Sequence, residues 1–348
     1  VASASPKEPD APTPKGPWGT VLKTTPIVLT VLATALAGIS SSEMTQSMYH
    51  RSIAAQQQSK AGDQWAFFQA KRIRGTSLET TVETIQALAH PAPFDPAQID
   101  AVAAQLLAAL GEKAGAESAE REKAVAQVKR ARETLAGLLA DEKLRQSLPL
   151  ILGGALPKVE TKPLDRKETQ EAIDTVVKAI SQRRTETETA AAVRQLTPAD
   201  IEEAVRHAEQ AADAFDKANE TTIDAVRQLR SAIGDLAAAV GPLRRSASQS
   251  LSQPLAALDS LSASFTAASL DFEARRYRQE AAYNRKAAEL YEVRVRRSAV
   301  ESDRHRERSK KFFYAMLVAQ MGVTVSSLAL ARAQRSVFWL FAAAAGAA

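Results

Sequence analysis

The chain has no cysteine. Disulfides, thiolate catalysis and cysteine-ligated zinc or iron–sulfur centres are therefore excluded, while the compartment stays open, because a cysteine-free protein suits cytoplasm and periplasm alike. Aromatic residues make up only 5% of the sequence, too few for a β-rich or typical enzyme core. There are 14 glycines and 15 prolines, and six of the prolines fall within the first 26 residues, so little remains elsewhere to interrupt a helix. No phosphate-binding glycine loop and no nucleophile motif is present. The four histidines, His50, His90, His207 and His305, are scattered without a second ligand at helical spacing, which argues against a metal site. Carboxylates are plentiful but interleave with Lys and Arg, as on solvated helix faces. The chain is accordingly expected not to be an enzyme and to carry no metal or other cofactor.

What is present is Ala, Glu, Lys, Arg, Gln and Leu, the residues that lose least freedom in a helix. The expected fold is all-α, with burial on stripes of Ala, Leu, Val and Ile. The net charge is +5, and its placement is informative. Between Arg294 and Lys311 eight basic residues stand against three acidic ones, a surplus equal to that of the whole chain.

Two charge-free runs are long enough to span a bilayer. Thr24 to Ser42, bracketed by Lys23 and Glu43, makes about 28 Å of helix, close to the hydrocarbon thickness. It reads as a retained transmembrane helix rather than a signal peptide, since its polar leader is long and the sequence continues as helix instead of a cleavage site. The second run, Phe312 to Ala331, follows Lys310 and Lys311 and opens with interfacial aromatics. A third, residues 336–348, is about 20 Å of helix and reads as the start of another membrane helix, joined by the tight link Arg332 to Arg335. The expected organisation is a disordered tail 1–23, a transmembrane helix 24–42, an extramembrane helical bundle 43–311 with a stalk helix 255–311, a second transmembrane helix 312–331, and the beginning of a third at 336–348.

Within 43–311, helix is expected over 43–89, broken by the prolines at 91–96, then over 96–147 with an interruption near 111–115, a loop at 150–165, and helix again over 166–195. Thr197-Pro198-Ala199-Asp200 is a helix start. From there Ile201, Val205, Ala208, Ala212, Phe215, Asn219, Thr222, Val226, Leu229, Ile233, Leu236 and Val240 keep a strict four–three alternation. That spacing predicts a coiled coil or an antiparallel bundle core, with Asn219 and Thr222 fixing register. Gly241-Pro242 ends the helix. The stalk repeats the alternation at Leu270, Ala274, Tyr277, Ala281, Asn284, Ala288, Tyr291 and Val295. Fifty-seven residues of stalk make roughly 85 Å of helix, whose small seam side chains require lateral support, in cis or in trans.

Candidate packing or partner residues are Trp65, Phe68, Ala281, Ala288 and Tyr291. The first two share a helix face, and are expected either to pack against the stalk around 283–291 or to meet a partner chain. Arg304, Arg306, Arg308, Lys310 and Lys311 are candidate lipid head-group contacts, each worth about 1 kcal/mol close to an anionic surface. Their juxtamembrane position makes nucleic acid an unneeded partner. In the first run, Ala33, Ala37 and Ser41 form a small-residue ridge suited to close helix packing.

Two stretches resemble a bacterial family of uncharacterised membrane proteins, domain-of-unknown-function family 4337. The first is residues 59–74, with Asp63-Gln64-Trp65-Ala66-Phe67-Phe68-Gln69-Ala70-Lys71 at its centre. The second comprises Arg275 to Ala281, Glu289 to Val295 and the membrane run after Lys310. Together they cover about a third of the chain. The resemblance implies architecture alone, since the family has no assigned activity, and a multi-pass place in a bacterial inner membrane. The functional expectation is a non-enzymatic, membrane-anchored scaffold or accessory subunit that assembles with itself or with a larger membrane complex and contacts lipids. A signal transducer relaying changes along the stalk is the alternative. A channel is disfavoured, because the membrane runs hold no ionisable residue. The basic surplus before Phe312, against Arg332 and Arg335 beyond the run, places the middle domain in the cytoplasm. Lys7, Lys15 and Lys23 ahead of the first run argue the other way.

Overall fold

The computed structural model describes residues 17–111, 118–159, 166–182, 184–244, 249–331 and Val337. Residues 1–16 of the expected tail, the link 332–335 and, Val337 apart, the expected third membrane helix lie outside the described residues. All regular structure among the described residues is helical: α1 (Pro17–Ala89), α2 (Ala97–Gly111), α3 (Ser118–Ala140), α4 (Glu142–Ile151), α5 (Lys167–Ser181), α6 (Glu186–Arg194), α7 (Pro198–Val240), a 3-10 turn (Gly241–Arg244) and α8 (Gln249–Ala331).

Local chemistry sets the helix ends. The α1 helix begins at Pro17, inside the stretch expected to be tail, because proline suits a first helical position where no N–H partner is needed. The Thr25 hydroxyl donates back to the Val21 carbonyl at 2.7 Å within this turn. Asp95 accepts from the Ala97 N–H at 2.9 Å and starts α2 after the proline break. The single helix expected over 166–195 is two helices. Thr185 and Glu188 form a reciprocal capping box, each side chain accepting the other's backbone N–H, and this starts α6 afresh. Thr197 and Asp200 do the same for α7. The Thr197 hydroxyl also donates to the Asp200 carboxylate at 2.7 Å, holding that carboxyl below its ordinary pKa.

The chain divides into two compact units. The larger comprises residues 59–177 and 197–292. Its core gathers α2, α3, α4, α7 and the first half of α8 around Leu106, Leu135, Ile151, Leu229, Leu236 and Phe265. The predicted α7 stripe is buried from Ile201 to Val240, with only Ala212 half-exposed. Phe94 meets Phe265 with ring centroids 5.1 Å apart, and Phe215 meets Tyr283 at 5.3 Å. Here α1 runs antiparallel to α8: Trp65 bonds Glu292, Lys71 pairs with Glu280 at 3.0 Å, and Gly75 lies against Ala274. The α7 helix supplies the lateral support that the small α8 seam requires, through Tyr291 to Glu209 and Arg230 to Glu273.

The smaller unit comprises residues up to 58, 178–196 and those from 293. In it Ser40 hydrogen-bonds Ser309, and Ser47 hydrogen-bonds Ser302. One heptad forward on α1 is one heptad back on α8, which defines an antiparallel coiled-coil register.

The burial pattern of α1 was not anticipated. Leu29, Leu36, Glu43, His50, Gln57, Gln64, Lys71, Leu78 and Ile85 form one series, each seven residues from the next. Ala33, Ser40, Ser47, Ala54, Ala61, Phe68, Gly75 and Val82 form the second. Every member of both is buried or half-buried. The buried face of the first run therefore passes through Ala33 and Ser40, whereas Ser41, from the expected small-residue ridge, is exposed. On α8 the alternation read from Leu270 to Val295 continues without a skip through Ser298, Ser302, His305, Ser309, Phe312 and Met316, all at least half-buried.

Candidate functional site

The polar side chains of the smaller unit form a layer at the ends of the two apolar runs. Glu43 is the first charge after Thr24–Ser42, and its carboxylate accepts from His305 Nδ1 at 2.6 Å with Arg308 at 3.9 Å. The His305 ring stacks on that of His50, centroids 5.5 Å apart and nearly parallel. Half a heptad either side of the Glu43–His305 pair lie the buried serine pairs. Two histidines that are far apart in sequence thus meet; His305 continues the alternation read on α8 from Leu270, whereas no apolar pattern on α1 pointed to His50. No group of three His, Asp or Glu side chains placed to hold a metal occurs among the described residues.

Beyond this layer the apolar runs keep most of their surface open. The first and last helices are each long and apolar enough to cross a membrane. Along their apolar stretches they bury a narrow seam of Leu29, Ala33, Ala319, Ser326 and Ala329. Ile27, Val31, Val318 and Met321 are each more than half exposed.

The five basic candidates, Arg304, Arg306, Arg308, Lys310 and Lys311, are all exposed on α8 before Phe312. Lys310 pairs with Glu307 at 2.7 Å, and Arg304 lies 3.8 Å from Glu301. The Lys310 hydrogen bond, helped by the charges of Arg306 and Lys311, holds the Glu307 carboxyl below its ordinary pKa, a local sign of positive potential.

The other five candidates lie in the larger unit. Trp65 Nε1 donates to Glu292 at 2.8 Å, and its ring meets Phe68 edge-on at 5.5 Å. Tyr291 is buried, donates to Glu209 at 2.6 Å, and has the Lys60 ammonium 5.9 Å from its ring centroid. Ala281 and Ala288 are buried in the α8 seam. All five therefore pack within the chain. Sequence reasoning missed a charged cluster beside them. Glu280, 4% exposed, receives both Lys71 and Arg276, which also stacks on Tyr277. Desolvation, and next the charge of Glu280, push the Asp216 carboxyl above its ordinary pKa although much of that residue faces solvent; Lys71 and Arg276 oppose the shift.

A family model described as Domain of unknown function (DUF4337) matches residues 22–148, about a third of the chain. The match takes in the first apolar run, the Trp65 segment, α2, α3 and the start of α4; residues 275–311 lie outside it. No curated protein and no solved structure matches the chain.

Proposed function

We propose that this chain is a non-enzymatic, multi-pass membrane protein, a helical scaffold or accessory subunit with a helical bundle and a two-helix anchor. The observation that carries the reading is the Glu43–His305–Arg308 layer. Two charge-free runs, separated by more than 250 residues, reach their charged ends beside one another, as a hairpin in one bilayer requires. The exposed apolar side chains on either side of the narrow seam support the same reading, because lipid is the solvent they suit. The exposed basic residues before Phe312 then lie at head-group depth on the cytoplasmic side of a bacterial inner membrane. Exposed Phe67, Ile73 and Leu88 on α1 offer apolar contact to a second copy or a larger membrane assembly.

The absence of cysteine makes the test direct. A single cysteine at Ala136, exposed on α3, should react with a membrane-impermeant maleimide only after the inner membrane is opened. Reaction in intact spheroplasts reverses the topology. Release of the chain by alkaline carbonate, without detergent, removes the anchor altogether. Gently solubilised protein should run above the mass of one chain; a monodisperse single chain that co-purifies with nothing would refute the assembly.

A further inference from the structure

Within the smaller unit a cleft of about 610 Å³ lies between α6 and α8. Its floor is small and apolar, formed by Ala190 of α6 with Ala299 and Val300 of α8. Its rim is basic: Arg194 at the end of α6, and Arg296, Arg304, Arg308 and Lys311 along α8. Asp303 and Glu307 are the acidic residues on that rim, and Glu307 is already held by Lys310. Five cations therefore face two carboxylates around a concave surface, Arg304 and Arg308 also lying 3.8 and 3.9 Å from Glu301 and Glu43 behind it. Arg194 comes from more than a hundred residues away in sequence, so the basic run of α8 does not account for the charge by itself. Lys311, on the cleft rim, is also the last charge before the apolar run from Phe312.

We infer that this cleft seats the phosphate of an anionic phospholipid head group. The chemistry is charge-assisted hydrogen bonding from guanidinium groups, which suit phosphate oxygens geometrically. The apolar floor suits the glycerol backbone, and the same face of α8, carried on by exposed Tyr314 and Val318, continues in the direction an acyl chain takes. This assignment rests on the membrane reading above, and differs from diffuse attraction to an anionic surface by requiring Arg194 and the cleft shape.

The test is a calorimetric titration of the detergent-solubilised full chain with three probes: a short-chain phosphatidylglycerol, the matching phosphatidylcholine, and inorganic pyrophosphate. Phosphatidylglycerol should bind at least tenfold tighter than either of the others. Arg194→Gln with Arg296→Gln should weaken it about thirtyfold, at roughly fivefold per basic residue. Lys286→Gln with Arg306→Gln removes the same charge from exposed positions outside the cleft and should weaken it less than threefold. Ala190→Trp fills the floor without changing charge, and should abolish binding while the helical circular dichroism stays unchanged. Equal losses from the two charge-removing pairs, or unaltered binding by the Ala190→Trp protein, overturn the cleft and leave the membrane anchor standing. Pyrophosphate binding as tightly as the lipid assigns the site to a free phosphate compound instead. Equal affinity for phosphatidylcholine removes the charge recognition. A chain that needs no detergent to stay in solution defeats the anchor itself, a separate outcome.

Discussion

At the scale of single residues, the informative side chains are polar groups placed where a seam excludes water. Trp65 illustrates the value of one donor. Its ring fills the space beside Phe68, and its N–H satisfies Glu292, a carboxylate only partly open to solvent. Trp65→Phe should keep most of the packing and lose the hydrogen bond, destabilising the chain by about 1 kcal/mol in urea unfolding. Trp65→Ala should lose about 2–3 kcal/mol, below the range for a fully buried ring. Equal stabilities for Trp65→Phe and the parent show that the bond contributes nothing. Asp216 poses the opposite case. Its folded-state pKa is raised above the ordinary 3.8, so the folded chain holds that proton more tightly than the unfolded one. The associated stability is fully present below pH 3.8 and is lost as the pH rises through the folded value. Asp216→Asn should therefore be more stable than the parent at neutral pH, and the advantage should shrink on acidification. An advantage that grows as the pH falls contradicts that assignment.

At the scale of elements, the α7 helix shows how much a sequence discloses and where it stops. Its cap, its stop and its buried stripe were all legible, because large apolar residues recur at unbroken four–three spacing and Thr197 precedes a proline. Asn219 was legible as an exception on the stripe, but not its surroundings. It is fully buried, its amide donates to the Phe215 carbonyl, and its own oxygen has no hydrogen-bond partner among the described residues. Asn219→Leu keeps the branched four-atom skeleton in a larger side chain and removes that buried oxygen, so thermal and urea unfolding should report a net gain of no more than about 1 kcal/mol; a loss of stability shows that overpacking or a role in register outweighs it. The matching seam of α1 was not legible, since between Glu43 and Gly75 it is composed, Phe68 apart, of Ala, Ser, Gln, Glu, His, Lys and Gly, and a pattern of large apolar residues registers none of these. Only the facing α8 reveals it, which is why the His50–His305 contact escaped the sequence. The α4 end was equally hidden. Its end is capped from a distance: Arg275 donates to the Leu150 carbonyl of the last turn and to the Gly154 carbonyl of the following loop, at 2.9 and 2.7 Å, while Asp271 steadies the guanidinium. Arg275→Lys cannot make that fork, and should cost about 1–2 kcal/mol in urea unfolding; an unaltered midpoint shows that solvent caps α4 equally well.

At the scale of the molecule, the antiparallel pairing of α1 and α8 is the organising fact, and the lack of native thiols allows it to be measured. The Ser40 and Ser309 hydroxyl oxygens are 3.2 Å apart. Cysteines at both positions should therefore crosslink readily on mild oxidation, within one chain. The pair Ser40→Cys and Ser302→Cys is displaced by one heptad, about 10 Å along the axis, and should not. A crosslinked dimer from the first pair shows that two copies exchange the helix. The same serines bear on how the protein is made. They pair across 269 residues of sequence, so at ordinary elongation rates roughly 10–60 s separate the synthesis of Ser40 from that of Ser309. On the membrane reading proposed above, α1 waits in the bilayer during that interval without its partner. A seam of arginines or asparagines would make the wait unfavourable, and a seam of leucines would offer no preference for α8 over any passing helix. Serine can return its hydroxyl to its own helix until the matching strip arrives, so the α1 seam tolerates a late partner and still distinguishes it on arrival.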